Sequence, residues 1–186
     1  AEGALAIIPA RGGSKRIPRK NIRPFLGVPL LARTVAIVRE SEVFERIIVS
    51  TDDDEIAEVA RRAGAEVPFR RPAELADDFT ATMPVIAHAV REMEGLGTRC
   101  DAICCVYPAA VLSMSRDYRE AARVAIESGA DYVFTATSFL HPIQRALRRT
   151  SGGGCEMFWP EHSESRSQDC EPAIWLNEDI MREFER

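Results

Sequence analysis

Short apolar stretches rich in β-branched residues alternate along this chain with longer segments of helical periodicity. Apolar runs of this kind predict buried strands, and apolar residues spaced three and four apart predict amphipathic helices. The predicted strands are 4–9, 46–51, 66–69, 101–108 and 131–137, and the predicted helices are 29–41, 53–64, 83–95 and 115–129. Such alternation through short connections is typical of an α/β protein, here a three-layer α/β/α fold with a mainly parallel sheet.

The length of the chain favours one domain. A chain of 186 residues can bury a core of ordinary size, so we predict a single domain over residues 1–186. The alternation of strands and helices stops near residue 138 and gives way to a glycine-rich turn at 151–154 and a polar stretch. Residues 138–186 are therefore predicted to be an irregular part of that domain.

The overall composition indicates a cytoplasmic protein. Its formal net charge is -5, which argues against general nucleic-acid binding. Its apolar runs are shorter than the roughly 20 residues that a membrane-spanning helix needs, and its first residues do not resemble a signal peptide. The five cysteines do not have the paired spacing of a zinc site, so reduced thiols in a reducing compartment are expected. We expect neither a membrane nor a nucleic-acid partner.

The first predicted strand leads into a strongly cationic loop, residues 10–23. Its cations are Arg11, Lys15, Arg16, Arg19, Lys20 and Arg23. Gly12 and Gly13 would let the backbone adopt positive φ and approach a ligand closely. Exposed N–H groups in such a turn, with full positive charges beside them, form an anion site. Since ligands of open α/β sheets bind beyond the carboxyl ends of the strands, we predict an anion site here. A solvated charged face is the alternative.

Two common phosphate-binding motifs do not fit this loop. A Walker A loop needs G-x-x-x-x-G-K-[ST], but here Ser14 precedes Lys15, and a dinucleotide fingerprint needs G-x-G-x-x-G. The sequence therefore favours a polyphosphate held by another type of loop. A weaker hypothesis is that the loop binds RNA or an acidic protein surface, although only Phe25 lies close enough in sequence to stack on a base.

Several longer motifs resemble those of the CMP-sugar synthetases, the acylneuraminate cytidylyltransferase family. The matching stretches are PARGGSKRIPRKN, RIIVSTDDDEIAEVARRAGAEV, RRPAELADDFTAT, and FLHPIQRAL with RSQD. The resemblance covers roughly residues 4–169 and is strongest to the branch that activates pseudaminic acid. It implies a nucleotide-diphospho-sugar transferase (Rossmann-like) fold and a CTP-dependent nucleotidyltransferase that couples CMP to an acidic nine-carbon sugar and releases diphosphate. Sialic acid, legionaminic acid and the eight-carbon acid Kdo remain alternative substrates.

The resemblance also implies which residues bind the nucleotide. They are Ala10, Arg11, Gly12, Gly13, Ser14, Lys15, Asn21, Arg71, Thr80, Ala81 and Thr82. Lys15, Lys20 and Arg11 are the predicted catalytic residues, because cations there would offset charge on the triphosphate in the transition state. Arg71 would face the cytosine, whose O2 and N3 accept hydrogen bonds. The alternative for Arg71 is an exposed arginine paired with Glu74 or Asp77.

A second set of residues is predicted by resemblance to bind the sugar. They are Tyr107, Gln144, Arg145, Arg166 and Gln168. The carboxylate of such a sugar calls for an arginine that can donate two parallel hydrogen bonds. For Tyr107, a packed aromatic residue is the alternative. The resemblance assigns sugar binding and dimerisation to residues 138–186.

The resemblance implies Mg²⁺ as cofactor, but the sequence leaves its ligands unassigned. Asp52, Asp53 and Asp54 follow a strand, and we favour helix capping, with Asp52 as N-cap, over metal binding. A later aspartate-rich motif of the family is not found in this sequence, and Glu178 or Asp179 are the possible substitutes. The family forms homodimers through an arm that is shortened here. A catalytically impaired, truncated CTP-binding fragment is therefore the alternative to an active enzyme.

Overall fold

The computed structural model describes residues 3–15 and 17–176. Its strands are β1 (Ala4–Pro9), β2 (Pro24–Phe25), β3 (Val28–Pro29), β4 (Arg46–Ser50), β5 (Ala102–Cys105), β6 (Ala136–Ser138), β7 (Leu147–Arg149), β8 (Cys155–Met157) and β9 (Ile174–Leu176). Its helices are α1 (Leu30–Glu40), α2 (Asp54–Ala63), α3 (Thr82–Gly95) and α4 (Ser115–Ser128). The described residues form two compact units, residues 3–134 and residues 135–176.

The first unit is built on a parallel sheet with the strand order β4–β1–β5. Ile7 of β1 lies opposite Ile48 of β4 and Cys105 of β5. The side chains of β1 are apolar on both faces, and Leu5 and Ile8 have no exposed surface. Strands that are buried on both faces are typical of parallel sheets covered by helices, so the predicted sheet type is confirmed.

Helices cover both faces of this sheet, which confirms the three-layer prediction. Because side chains alternate along a strand, Ala6 and Ile8 face a core formed with α1, α2 and α4. Leu5 and Ile7 face the opposite core, formed with α3. Each fully buried aliphatic side chain stabilises the fold by about 1.5–3 kcal/mol. The two cores hold β1 in place, and with it the start of the cationic loop.

The predicted N-cap of α2 is wrong by one residue. Asp53, not Asp52, is the N-cap of α2, and its carboxylate accepts a hydrogen bond of 2.9 Å from the Ile56 N–H. Asp52 is engaged elsewhere, as described below. Ser115 is the first helical residue of α4. Met114 stands at the cap position, and its N–H donates to the Asp117 carboxylate at 2.7 Å.

Three predicted strands differ from those observed. The strand at 66–69 is reduced to an isolated bridge between Ile48 and Glu66. The strand at 101–108 ends at Cys105. The strand at 131–137 is not part of the parallel sheet. Only β6 forms there, and it pairs antiparallel with β9. The apolar pattern of residues 131–137 predicted a buried strand. The three residues of β6 are instead exposed, and they pair only locally.

The second unit consists of short, exposed elements. Its two sheets are the antiparallel pairs β6–β9 and β7–β8, and each strand has three residues. Large apolar side chains such as Leu140 and Ile174 are exposed. The single domain over residues 1–186 stays a prediction. Within the described ranges, every helix is too short or too polar to cross a membrane.

Candidate active site

A cleft of about 720 Å³ lies in the first unit, beyond the carboxyl end of β1. Most residues predicted to bind nucleotide line it. They are Arg11, Ser14, Lys15, Asn21, Arg71, Thr80, Ala81 and Thr82, joined by Lys20 from the predicted catalytic set and by Tyr107 from the set predicted for the sugar. Ala10, Gly12 and Gly13 belong to the same loop but do not line this cleft. The structure thus collects side chains from three separate motifs around one concave surface.

Both ends of the cationic loop are fixed by hydrogen bonds. The Ala10 N–H donates to the Ser50 carbonyl at 2.9 Å, which continues the pairing of β1 with β4. At the other end, the buried Asn21 side chain donates to the Arg11 carbonyl at 2.9 Å. Asn21 therefore supports the loop from within, whatever else it contacts at the cleft.

The two glycines of the loop do not have the positive φ that was predicted. Gly12 is needed for a different reason, because a Cβ there would lie 2.7 Å from the Asp53 Oδ2 atom. The Gly12 N–H donates to the Asp52 carboxylate at 3.0 Å, and the Ser14 N–H donates to the Gly12 carbonyl at 3.0 Å. These two N–H groups are therefore already engaged, and the positive charge of the site comes mainly from side chains.

Asp78 is the principal acidic neighbour of the loop cations. Its carboxylate pairs with Arg11 at 2.9 Å and also with the Lys15 ammonium. The hydrogen bond from Lys15, followed by the charges of Lys15 and Arg11, lowers the pKa of Asp78 below its usual range. Asp78 is thus ionised at neutral pH and neutralises part of the charge that was predicted to meet the triphosphate.

The other loop cations have distinct surroundings. Arg19 pairs with Asp53 and Glu55 and does not line the cleft. Lys20 lines the cleft and, among the residues that the structure describes, has no carboxylate within ion-pair distance. Arg16 lies outside the described residues. Among the loop cations at the cleft, Lys20 is therefore the one left available for an anionic ligand.

Arg71 is buried, with 4% of its surface exposed. Its Nε donates to the Ser50 Oγ at 3.1 Å, and its Nη2 donates to the Ser50 carbonyl. Burial lowers the pKa of Arg71 to about 10, although the charge of Asp52 acts in the opposite direction. The side chain is therefore still a cation at neutral pH. The alternative of an exposed arginine paired with Glu74 or Asp77 is wrong.

The far wall of the cleft is formed by the start of α3 and by Tyr107. The Tyr107 hydroxyl and the Thr82 Oγ1 are 2.7 Å apart. The Thr80 N–H donates to the Asp77 carboxylate at 2.6 Å, and the Thr80 hydroxyl donates to the same oxygen at 2.7 Å. These hydrogen bonds lower the pKa of Asp77. Tyr107 thus has a polar contact at the cleft and is more than a packed aromatic ring.

The residues predicted for the sugar do not all lie in this cleft. Gln144 and Arg166 line a separate cavity of about 520 Å³ within the second unit. The Arg166 guanidinium donates to both Asp169 oxygens, at 2.6 and 3.0 Å. Arg145 donates to the Ser165 carbonyl at 3.2 Å. The structure brings these residues together with the RSQD motif, in which Gln168 is exposed.

The described residues do not provide a metal site made by protein alone. Within residues 3–15 and 17–176, no three His, Cys, Asp or Glu side chains come close enough to hold an ion. The acidic run after β4 is occupied otherwise: Asp52 binds Gly12, Asp53 caps α2, and Asp54 pairs with Arg70. Glu178 and Asp179 lie outside the described residues.

Comparisons with known proteins assign the chain to a family. A sequence profile of the cytidylyltransferase family matches residues 5–151. Over 190 residues the chain is 38% identical to a pseudaminic acid cytidylyltransferase from Campylobacter jejuni, a match that covers 95% of this chain and 82% of the relative. The chain belongs to the cytidylyltransferase family.

Two further comparisons relate this cytidylyltransferase to other known proteins. It is 33% identical over 138 residues to a CMP-N,N'-diacetyllegionaminic acid synthase from Legionella pneumophila, covering 74% of this chain and 60% of that one. Its backbone resembles that of CMP:2-keto-3-deoxy-manno-octonic acid synthetase complexed with CTP, with a TM-score of 0.65, 14% identity, and coverage of 95% of this chain and 70% of the other. At that identity the likeness concerns the fold alone.

Family membership confirms the predicted enzyme class, a CTP-dependent nucleotidyltransferase, and the resemblance to CMP-sugar synthetases. The structural neighbours confirm the predicted type of α/β fold. Sequence reasoning missed Asp78 and the pairing of Arg19 with Asp53. A signal for Asp78 existed, because the acidic pair 77–78 follows Arg71 in the loop that faces the cations.

Proposed function

We propose that this cytidylyltransferase transfers CMP from CTP to pseudaminic acid. The anomeric hydroxyl oxygen attacks the α-phosphorus and loses its proton, the bond from the α-phosphorus to the bridging oxygen breaks, and diphosphate leaves. The 38% identity to a pseudaminic acid cytidylyltransferase over most of both chains supports this choice of sugar. The observation that carries the proposal is the cleft in which Arg11, Lys15, Lys20 and Arg71 come together.

Charge is the main chemical demand of this reaction. A triphosphate carries several negative charges, and the leaving diphosphate gains one more in the transition state. Lys20 is proposed to lie next to the α-phosphate, where its unpaired ammonium offsets that charge. Arg11 and Lys15 are proposed to bind the two outer phosphates. Cations that are fixed before the reaction lower its barrier, because the site need not reorganise.

Base recognition is proposed for the opposite side of the cleft. Ser50 uses the Nε and Nη2 of Arg71. The remaining guanidinium donors have no partner among the described residues, so they can reach O2 or N3 of cytosine. Thr80, Ala81 and Thr82 complete this wall. A uracil presents a donor at N3 in place of the acceptor, so the proposal predicts preference for CTP over UTP.

Mg²⁺ and dimer formation stay predictions of the resemblance, and cytoplasmic location stays a prediction from the composition. Mg²⁺ is usually bound through substrate phosphates with one or two carboxylates, and none of the steps above is assigned to it. Loss of activity on addition of EDTA, with recovery on addition of Mg²⁺, tests the metal. Light scattering of the purified protein tests the dimer.

Legionaminic acid is the second candidate sugar, supported by the 33% identity to a CMP-N,N'-diacetyllegionaminic acid synthase. The experiment that separates the candidates measures diphosphate release from CTP and Mg²⁺ with pseudaminic, legionaminic, sialic and Kdo acids in turn. We expect pseudaminic acid to give the highest kcat/KM. A higher value with another acid would replace the sugar but keep the reaction. CTP binding without release in all four would indicate a fragment that binds nucleotide and does not turn it over.

A further inference from the structure

The acidic residues at the start of α2 contact the cationic loop from outside the cleft. Asp53 and Glu55 both pair with Arg19, and Asp52 accepts the Gly12 N–H. None of the three carboxylates lines the cleft. Their partners are on the loop whose other side chains face it. The contacts therefore act on the shape of the loop and not directly on a ligand.

Arg19 is held in an unusual backbone conformation. Its φ and ψ are 55° and 28°, in the left-handed region, which few residues other than glycine adopt. Its guanidinium makes two parallel hydrogen bonds to Asp53, at 2.6 and 3.1 Å. Paired bonds of this kind fix direction as well as distance. The ion pair thus stabilises a turn that the backbone alone would disfavour.

Asp53 connects three parts of the site. One oxygen accepts the Ile56 N–H at the start of α2, and both oxygens accept from Arg19. The side chain also packs so closely on Gly12 that a Cβ there would overlap it. The hydrogen bond from Arg19 lowers the pKa of Asp53, so the carboxylate stays charged at neutral pH.

We propose that Arg19 and Asp53 are positioning residues, whose ion pair fixes the cationic loop against the start of α2 so that Arg11, Lys15 and Lys20 meet the triphosphate. This inference rests on the proposed function, because it assumes that the loop binds CTP. In this proposal, the acidic residues after β4 hold the loop in its conformation. It also gives one of the six loop cations a role away from the ligand.

The test is a double-mutant cycle with Arg19→Gln, Asp53→Asn and the double variant. Asparagine caps helices about as well as aspartate, so Asp53→Asn removes the ion pair and keeps the cap of α2. We expect each single variant to raise the KM for CTP about tenfold, since a misplacement of only about 1 Å can cost as much as about 100-fold. The double variant should be no worse than either single one, and Arg19→Lys should recover part of the loss.

Arg62→Gln is the matched control, because it removes another arginine–glutamate pair, on the exposed side of α2. Its KM for CTP should equal that of the wild type. Thermal unfolding should shift by only a few degrees in all variants. Additive effects in the cycle, or a KM for CTP unchanged in both single variants, would overturn the inference.

A second readout keeps the inference separate from the proposed function. Hydrogen exchange of the amides in residues 10–23, measured without nucleotide, should be faster in Arg19→Gln and in Asp53→Asn than in the wild type. If the wild type neither binds CTP nor releases diphosphate, the proposed function fails, and exchange still decides the loop contact. Unchanged exchange in both variants would overturn the inference even in an active enzyme.

Discussion

The two units of the molecule support their predicted site residues in different ways. In the first, the cleft side chains follow strands with buried residues such as Ile8 and Cys105, so a packed core fixes where each loop begins. In the second, Arg145 and Arg166 are exposed, and the strands of this unit have three residues each. Their positions depend on local hydrogen bonds. Residues placed by a core are easier to predict and harder to displace.

The largest effect on activity is expected for Lys20→Ala, in the cleft of the first unit. Of the loop cations that line the cleft, Lys20 is the one without an ion-pair partner in the described part of the chain, and loss of one charge-stabilising group typically lowers kcat by about 10²–10³-fold. Steady-state diphosphate release measures the effect. Arg23→Ala, which removes an exposed cation outside the cleft lining, is the control and should retain kcat. A kcat within threefold of wild type for Lys20→Ala would remove Lys20 from the mechanism.

Gly12→Ala tests how closely the cationic loop packs against Asp53. The added Cβ would overlap Asp53, whereas a Cβ at Gly13 would have no described heavy atom within 4 Å. Overpacking of this kind costs about 1–3 kcal/mol. Urea unfolding without nucleotide should therefore show a loss of stability for Gly12→Ala and almost none for Gly13→Ala. Equal stability of the two variants would show that the contact with Asp53 is not close.

The two units also show which parts of the fold could be predicted from the sequence. The periodicity of β1, β4 and the four helices was sufficient to predict the three layers, because burial on both faces leaves a clear apolar pattern. The strand at 131–137 had a similar pattern but pairs locally and is exposed. Pattern alone does not reveal which strand a segment will pair with.

The resemblance predicted many of the residues that line the cleft, but it did not predict their contacts with one another. Resemblance to a family named Arg71 and Thr82, and both line the cleft. The positive φ expected at Gly12 was instead found at Arg19. The pairing of Arg11 with Asp78 joins residues far apart in sequence. Such contacts depend on how two loops meet in space, which local sequence rules do not encode.

For the second unit, Arg145→Gln and Arg166→Gln test whether its arginines bind the sugar. Both arginines are predicted to bind the sugar carboxylate, so each variant should raise the KM for pseudaminic acid about tenfold, the loss of one charge-assisted hydrogen bond. The KM for CTP should not change. Arg148→Gln removes a nearby arginine that pairs with Glu156 and should leave both values unchanged. A rise in the KM for CTP alone would contradict the proposed division of roles.

The smallest expected effect is a gain. Asp78→Asn removes the carboxylate that competes with the triphosphate for Arg11 and Lys15, and exposed ion pairs contribute little. The KM for CTP should therefore fall about threefold. Asp131→Asn, an exposed residue outside the cleft lining, makes the same change in net charge and should have no effect. A weaker affinity for CTP in Asp78→Asn would mean that Asp78 helps to bind the nucleotide.

The most direct test of the account is calorimetric titration of the wild-type protein with CTP, UTP and inorganic triphosphate, in the presence of Mg²⁺ and without any sugar. The account predicts saturable binding of one CTP per chain, weaker binding of UTP because Arg71 meets the wrong edge of the base, and weaker binding still of triphosphate. Absence of CTP binding, or equal affinity for all three ligands with a steep dependence on salt, would contradict a nucleotide cleft and leave only a cationic surface.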